Sequence, residues 1–283
     1  MQATSARRRV TDKAMLGLMG LAILVAIVPL GSILAEVIVK GLRGIHGLSF
    51  FTQSPPGDPL QSGGGVYNGI IGSLEMVALA SAIFIPLGVL AGVYLVEFGP
   101  GTLLARLVRF FAEVMTGVPS IIFGIFVFAI LVIRAHHFTA LAGALALGMI
   151  MWPIVIRTSE EMLIRVPVSV REASMALGTP KWRTVLRVVL PSAAGGLVTG
   201  CMLGVARAAG ETAPLLFTAL GNQFVSYSLS QPINALPLII YNGALSPYPA
   251  QIQRAWAAAF TLIAIVLVLT LAARFITSHR SAV

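Results

Sequence analysis

The chain has 283 residues, of which 57% are hydrophobic and only 10% charged, against roughly 25% charged in soluble domains. That composition excludes an ordinary water-soluble fold and suits one bundle of transmembrane helices in a lipid bilayer. The net charge of +9 invites a nucleic-acid partner, but the basic residues gather in loops on one side, as the positive-inside rule expects, so none is expected.

In chain order, residues 1–13 form a basic tail with Arg7, Arg8, Arg9 and Lys13, predicted to be cytoplasmic. The apolar run 14–39 is far longer than a signal-peptide core and reads as a retained first transmembrane helix. Residues 40–66 form a Gly- and Pro-rich external loop, including Ser54-Pro55-Pro56-Gly57-Asp58-Pro59 and Gly63-Gly64-Gly65. The glycine run lacks the Gly-Lys-Ser/Thr of a phosphate-binding loop, and no such loop occurs elsewhere.

The core of the membrane bundle is predicted over 67–276. A second helix spans 67–96, and Gly99-Pro100-Gly101 makes an inner turn. The third helix, 104–133, carries Pro119, which is liable to kink it. Arg134, His136 and His137 lie in an external turn; adjacent histidines do not share a helix face, so no metal site is expected. A fourth helix covers 138–157, an inner loop 158–190, and a fifth helix 191–220. The external segment 221–253 contains an apolar stretch, Ile233 to Tyr241, too short to span and suited to a re-entrant or interfacial helix. The sixth helix covers 254–276, with an inner tail over 277–283. Basic residues outside the bilayer fall mainly on the predicted inner side; Lys40, Arg43, Arg134 and Arg254 are the outer ones. Both termini are therefore expected inside. Cys201, the single cysteine, excludes an intrachain disulfide and reads as a small packing residue.

The inner loop is a basic, amphipathic island. Val168 to Leu177 reads as a helix and Gly178 sits where a left-handed C-terminal residue is wanted. Thr179 is the expected N-cap and Pro180 the first position of a second short helix, running to about Val189 and meeting Pro191. A stiff helix–break–helix suits mechanical transmission to something outside the bilayer; an ordinary basic loop is the alternative.

Gly196, Gly200, Gly204 and Ala208 make a bare ridge on the fifth helix, repeated once by Gly88 and Gly92 on the second. Such ridges permit close helix approach; contact with a partner helix is expected, with packing inside the chain as the alternative. Further along lie Arg207 and Glu211. Counted from Pro191, Arg207 is about 24 Å along the helix, deep in the bilayer, where a charge costs roughly 2.5–3.5 kcal/mol. Either the two residues neutralise one another, or they line an anion path. In the second reading the guanidinium fork accepts oxyanion oxygens, Glu211 occupies it between passages, Thr212 adds a hydroxyl, and Pro214 bends the helix just above. Glu75 is a second acid within a span, with Arg207 or Arg134 as conceivable partners or the interface as its outlet. Glu113 is expected to pair with Arg109, four residues before it.

Two of these stretches carry a resemblance. Glu172-Ala173-Ser174, Gly178, Val188 and Leu190-Pro191 resemble, at full spacing, the "EAA" loop of ABC-importer permeases, with Ser174 and Val188 as conservative departures from Ala and Ile. In that family the loop is a coupling helix seated in a groove of a separate ATPase. The resemblance therefore implies that Glu172, Ala173, Ser174, Gly178, Leu190 and Pro191 serve ATPase coupling. Ala206-Arg207-Ala208-Ala209-Gly210-Glu211-Thr212-Ala213-Pro214-Leu215-Leu216-Phe217-Thr218-Ala219 and Gly117-Val118-Pro119-Ser120-Ile121-Ile122-Phe123-Gly124 resemble the PstA-type permeases of phosphate ABC importers. The Arg-Ala-x-Gly-Glu-Thr core is shared with the sister PstC type.

The similarity covers most of 67–275. It implies an all-α integral membrane protein of six transmembrane helices with the ABC-importer permease fold, in the inner (plasma) membrane. It also implies import of inorganic phosphate together with a homologous PstC-type permease, an ATPase dimer and an external phosphate-binding protein. Arg207 and Glu211, with Thr212 and Glu75 beside them, are the expected substrate-path residues. No cofactor is expected on this chain, since ATP belongs to the partner, and no enzymatic activity. The rivals are an ABC permease for another oxyanion or solute, and a stand-alone secondary transporter or channel.

Overall fold

In a computed structural model, described over residues 6–58 and 60–280, every regular element is a helix. Parts of the predicted tails 1–13 and 277–283, and Pro59, lie outside the described residues. The helices are α1 (Ala6–Gly44), α2 (Ser49–Thr52), α3 (Tyr67–Val93), α4 (Leu103–Gly117), α5 (Ser120–Val127), α6 (Ile133–Ala135), α7 (Ala140–Ile164), α8 (Val168–Ala176), α9 (Lys181–Thr184), α10 (Leu190–Ala209), α11 (Ala213–Thr218), α12 (Leu236–Ala244) and α13 (Pro249–Arg280). Three wider π-helical turns extend or join them: Tyr94–Phe98 after α3, Phe128–Val132 between α5 and α6, and Val185–Val189 between α9 and α10.

Five helical stretches are long and apolar enough to cross a membrane, and a sixth arises if α4 and the α5–α6 stretch count as one broken span. The break is sharper than the kink expected at Pro119: the two pieces are bent by 106°. Its cause is local. Pro119 pushes Val118 out of the helical region, and both residues are extended (ψ 130° and 134°). Helix α7 is longer than predicted and runs seven residues into the expected inner loop, from 158 through Ile164.

Helix α7 is the centre of the bundle, with 67% of its apolar window buried, against 39% for α3 and 6% for α1. The glycine ridges explain why. Gly88 and Gly92 of α3 lie against Val155 and Ser159, and Gly196, Gly200 and Gly204 of α10 lie against Met162, Thr158 and Met151. A Cβ on Gly200 would stand 2.5 Å from that of Thr158, and one on Gly92 2.6 Å from that of Ser159. The ridge expected to meet a partner helix is thus used inside the chain, gripping α7 from two sides at near-backbone distance.

The predicted junction at Pro191 is absent. Lys181 to Ala209 forms one continuous helical stretch, with Pro191 inside it. A proline in a regular helix clashes with the carbonyl four residues earlier; here the π-helical turn Val185–Val189 directly precedes it, and Leu190 N–H donates to Val185 O, five residues back. The fifth helix also ends earlier than predicted, at Ala209, and restarts as α11. Thr179 is not the cap of α9; Pro180 holds that position with extended ψ 148°.

On the external side, α12 fulfils the expectation of a short non-spanning helix. It is buried through Leu236, Leu238 and Ile239, and its Leu236 N–H donates to Ser73 Oγ of α3 at 2.8 Å. Ser73 stands six residues inside α3, about 9 Å below its outer end, so α12 dips below the mouth of the bundle.

Candidate functional site

Two groups of charged side chains lie within this bundle, one at mid-span and one at its inner end. The mid-span group is built where two chain breaks converge. Helix α10 ends at Ala209, two residues after Arg207, and the chain restarts as α11 at Ala213, while the elbow at Val118-Pro119 joins α4 to α5. Helices α5 and α11 touch closely: a Cβ on Gly124 would meet Pro214 Cα at 2.5 Å. Arg207 lines a narrow cleft with Thr116, Val118 and Ser120 of the elbow and Ile150, Pro153 and Ile154 of α7. Those α7 residues are at the middle of its 25-residue length, so the Arg207 side chain lies beside mid-α7.

Arg207 Nε lies 3.6 Å from Glu211 Oε1, with the side chains 55% and 18% exposed. At 3.6 Å this is a loose ion pair rather than a hydrogen bond, so the planar fork remains available for another anion. Gly210 and Glu211 leave the helix through N–H bonds to Arg207 O and Ala208 O, both at 3.2 Å, so the break lies between the two charged residues rather than at Pro214. Thr212 is half-buried, and its side chain caps nothing in α11; like Glu211, it is not among the residues that line the cleft. Glu75 is not brought to this group. It is half-buried on α3, does not line the cleft and makes no ion pair with Arg207 or Arg134.

At the inner end, the Arg109–Glu113 pair expected along α4 is replaced by two bridges to α7. Arg109 Nε meets Glu160 Oε1 at 2.6 Å, and Arg157 Nη2 meets Glu113 Oε1 at 2.9 Å. The most buried bridge involves the inner loop itself: Arg171 Nε to Glu97 Oε1 at 2.8 Å, with side chains 13% and 6% exposed. The same guanidinium donates to Leu163 O at 2.8 Å and to Val166 O. One side chain of α8 thereby holds the π-helical end of α3 and the carbonyls at and just beyond the end of α7.

The rest of the loop presents itself outward. Glu172, Ala173, Gly178 and Pro191 are exposed, Ser174 and Leu190 half-buried. Helices α8 and α9 are clasped by Ser174 Oγ and Thr184 Oγ1, 2.9 Å apart. Gly178 takes the left-handed conformation expected of it, φ 78°, with its N–H donating to Met175 O at 2.9 Å. Nothing surrounds its missing Cβ, so the glycine answers to backbone strain and not to space. We expect Gly178→Val to cost about 1–2 kcal/mol of loop geometry and to weaken copurification with the ATPase while leaving anion preference unchanged. Undiminished copurification would refute this.

Sequence reasoning missed Glu97 and Glu160. Each is an acid at the inner end of an apolar span; Glu97 answers Arg171, which had no expected partner, and Glu160 answers Arg109, for which Glu113 was expected.

Comparison with known proteins follows the same outline. Residues 84–281 match the family model of the binding-protein-dependent transport system inner membrane component. A phosphate transport system permease protein PstA of Haemophilus influenzae is 40% identical over 273 residues, covering 96% of each chain. The PstA of Yersinia pestis is 44% identical, covering 88% of this chain and 83% of that one, and PstA 1 of Mycobacterium tuberculosis strain H37Rv is 39% identical, covering 97% and 91%. Among solved structures, a chain of the MetNI methionine ABC transporter in an inward-facing conformation superposes with a TM-score of 0.60, covering 76% of this chain and 96% of that chain at 22% identity, a likeness of fold.

Proposed function

Because the chain belongs to the binding-protein-dependent inner-membrane transport components, and there to the PstA phosphate-permease group, we propose that it forms half of the path by which inorganic phosphate enters the cell. It is a multi-pass inner-membrane transport permease of an ABC importer, not an enzyme, and works with an ATPase and a substrate-binding protein. The other half of the path would be a homologous PstC-type permease, and the binding protein one for phosphate.

The observation that carries the reading is Arg207: an arginine at mid-span, more than half exposed to a cleft and only loosely paired at 3.6 Å. A charge at that depth is costly without a partner or water, and a planar guanidinium suits the oxygens of a tetrahedral oxyanion. Glu211 is placed to take the fork when no anion is there, which keeps the cargo from being trapped. Thr212 offers a hydroxyl beside it. Glu75 is kept as a more distant member, an acid that biases the outer part of the path rather than touching the cargo.

In this reading Glu172, Ala173, Ser174 and Gly178 face the ATPase, while Leu190 and Pro191 lie on the continuous helix that joins this handle to Arg207. ATP-driven closure of the ATPases would move α8 and α9, and the movement would reach the path through α10. The test is ATP hydrolysis by the reconstituted complex with its binding protein. Stimulation by phosphate well above that by sulfate or molybdate is expected. Equal stimulation by the three anions would point to a general oxyanion permease, and uptake by this chain alone without ATP would overturn the reading.

A further inference from the structure

A second buried arginine, Arg254, lies on the external side at the start of α13, only 8% exposed. Its Nη2 donates to Gly63 O at 2.8 Å and to Gln61 O at 3.4 Å, clipping down the glycine-rich loop. Its Nε is buried and has no hydrogen-bond partner. All ten acidic residues of the chain lie among the described residues, and none forms an ion pair with Arg254. A loop clip needs no charge; carbonyls can be held by a neutral donor. A cation taken from water without a counter-charge is costly, so its position calls for an anion supplied from outside the chain.

The surroundings suit one. Two clefts flank the side chain, the first narrow and the second with about 130 Å³ of room. Ser62, His46 and Gln253 line the first, and Asn242 and Gln251 the second. Neither contains a carboxylate. Both reach the first turn of α13, the positive end of a 32-residue helix, although its Gln251 and Ile252 N–H groups already donate to Tyr248 O at 3.0 and 3.1 Å. A guanidinium, a helix N-terminus and neutral side-chain donors together form a receptor for a small oxyanion.

We propose that Arg254 is the centre of an external oxyanion subsite that holds inorganic phosphate at the mouth of the permease, before the mid-span cleft at Arg207. The identity of the anion rests on the function proposed above; the existence of the subsite rests on the unpaired buried arginine.

The test uses the whole transporter complex in lipid nanodiscs without its binding protein. Radiolabelled phosphate binding is measured by equilibrium dialysis, in an Arg207→Gln background that removes the deeper site. Phosphate binding that persists there, competes with sulfate, and weakens about tenfold or more with Arg254→Gln is expected, as for loss of a charge-assisted contact. Ser62→Glu, which sets a carboxylate in the cleft and keeps the loop clip, should weaken binding equally and decides the matter if Arg254→Gln does not assemble. Absence of phosphate binding in the Arg207→Gln background, or binding indifferent to both changes, would overturn the subsite. So would a loss of affinity for the binding protein with phosphate binding unchanged, since the counter-charge would then be a carboxylate of that protein. Each of these outcomes leaves phosphate-stimulated transport by the unaltered complex intact, so failure of the subsite is distinct from failure of the phosphate reading.

Discussion

Arg207→Gln is expected to abolish phosphate uptake while the complex assembles normally. The side chain holds no other element in place: its single ionic contact is the loose one to Glu211, and it faces a cleft rather than a packed core. Removing it therefore leaves the glycine-gripped bundle undisturbed. What is lost is the positive charge at mid-span and the bidentate geometry. A hydrogen bond to a charged group contributes about 1.5–3 kcal/mol, so losing two lowers anion occupancy by at least about a hundredfold. Arg207→Lys restores the charge without the fork and should recover only part of the rate. Radiolabelled phosphate uptake into proteoliposomes, scored against subunit stoichiometry, measures both. Uptake at the normal rate by the glutamine variant would remove Arg207 from the path.

Arg171→Ala is expected to separate ATP hydrolysis from transport. Its guanidinium is the buried tie between the inner loop proposed to face the ATPase and the ends of α3 and α7. Breaking one partner of a buried pair costs about 3–5 kcal/mol, because the other charge is stranded; here Glu97, with its side chain 6% exposed, is the one left behind. The loop would still carry its exposed docking face but would no longer drag the two spans with it. Phosphate transported per ATP hydrolysed should fall about tenfold or more, with ATPase copurification little changed. Glu97→Gln should be milder, since the carbonyls of Leu163 and Val166 still hold the arginine. An unchanged ratio of transport to hydrolysis in Arg171→Ala would show that the tie transmits nothing.

Features that depend on local backbone chemistry were legible in the sequence. Gly178 carries its positive φ, the apolar stretch before Tyr241 becomes the buried helix α12, and the spans other than the fifth begin close to where hydropathy rises. Features that depend on which elements meet were not. The ridge of Gly196, Gly200 and Gly204 has the same spacing whether it meets a sister subunit or α7. Arg109 has an acid four residues along its own helix, yet it reaches across to Glu160, which is 51 positions away in the chain. The run from Lys181 through Pro191 looked like two segments because proline usually ends a helix; a single wide turn before it carries the helix through. At the candidate site, the residue types and the depth of Arg207 were readable, whereas the meeting of its cleft with the elbow at Pro119 was not. Glu75 shows the converse: its charge suggested a partnership that the bundle does not make.

The gripping of α7 by both glycine faces also bears on biogenesis. Since the chain spends these closest-approach surfaces on itself, the packing of α3 and α10 on α7 can form as soon as α10 has entered the bilayer, with no need to wait for the second permease proposed above. Recruitment of that companion is then a late event, carried out between finished subunits through outward-facing side chains, and an orphaned copy should persist as a folded, protease-resistant body instead of being cleared as an unfolded one.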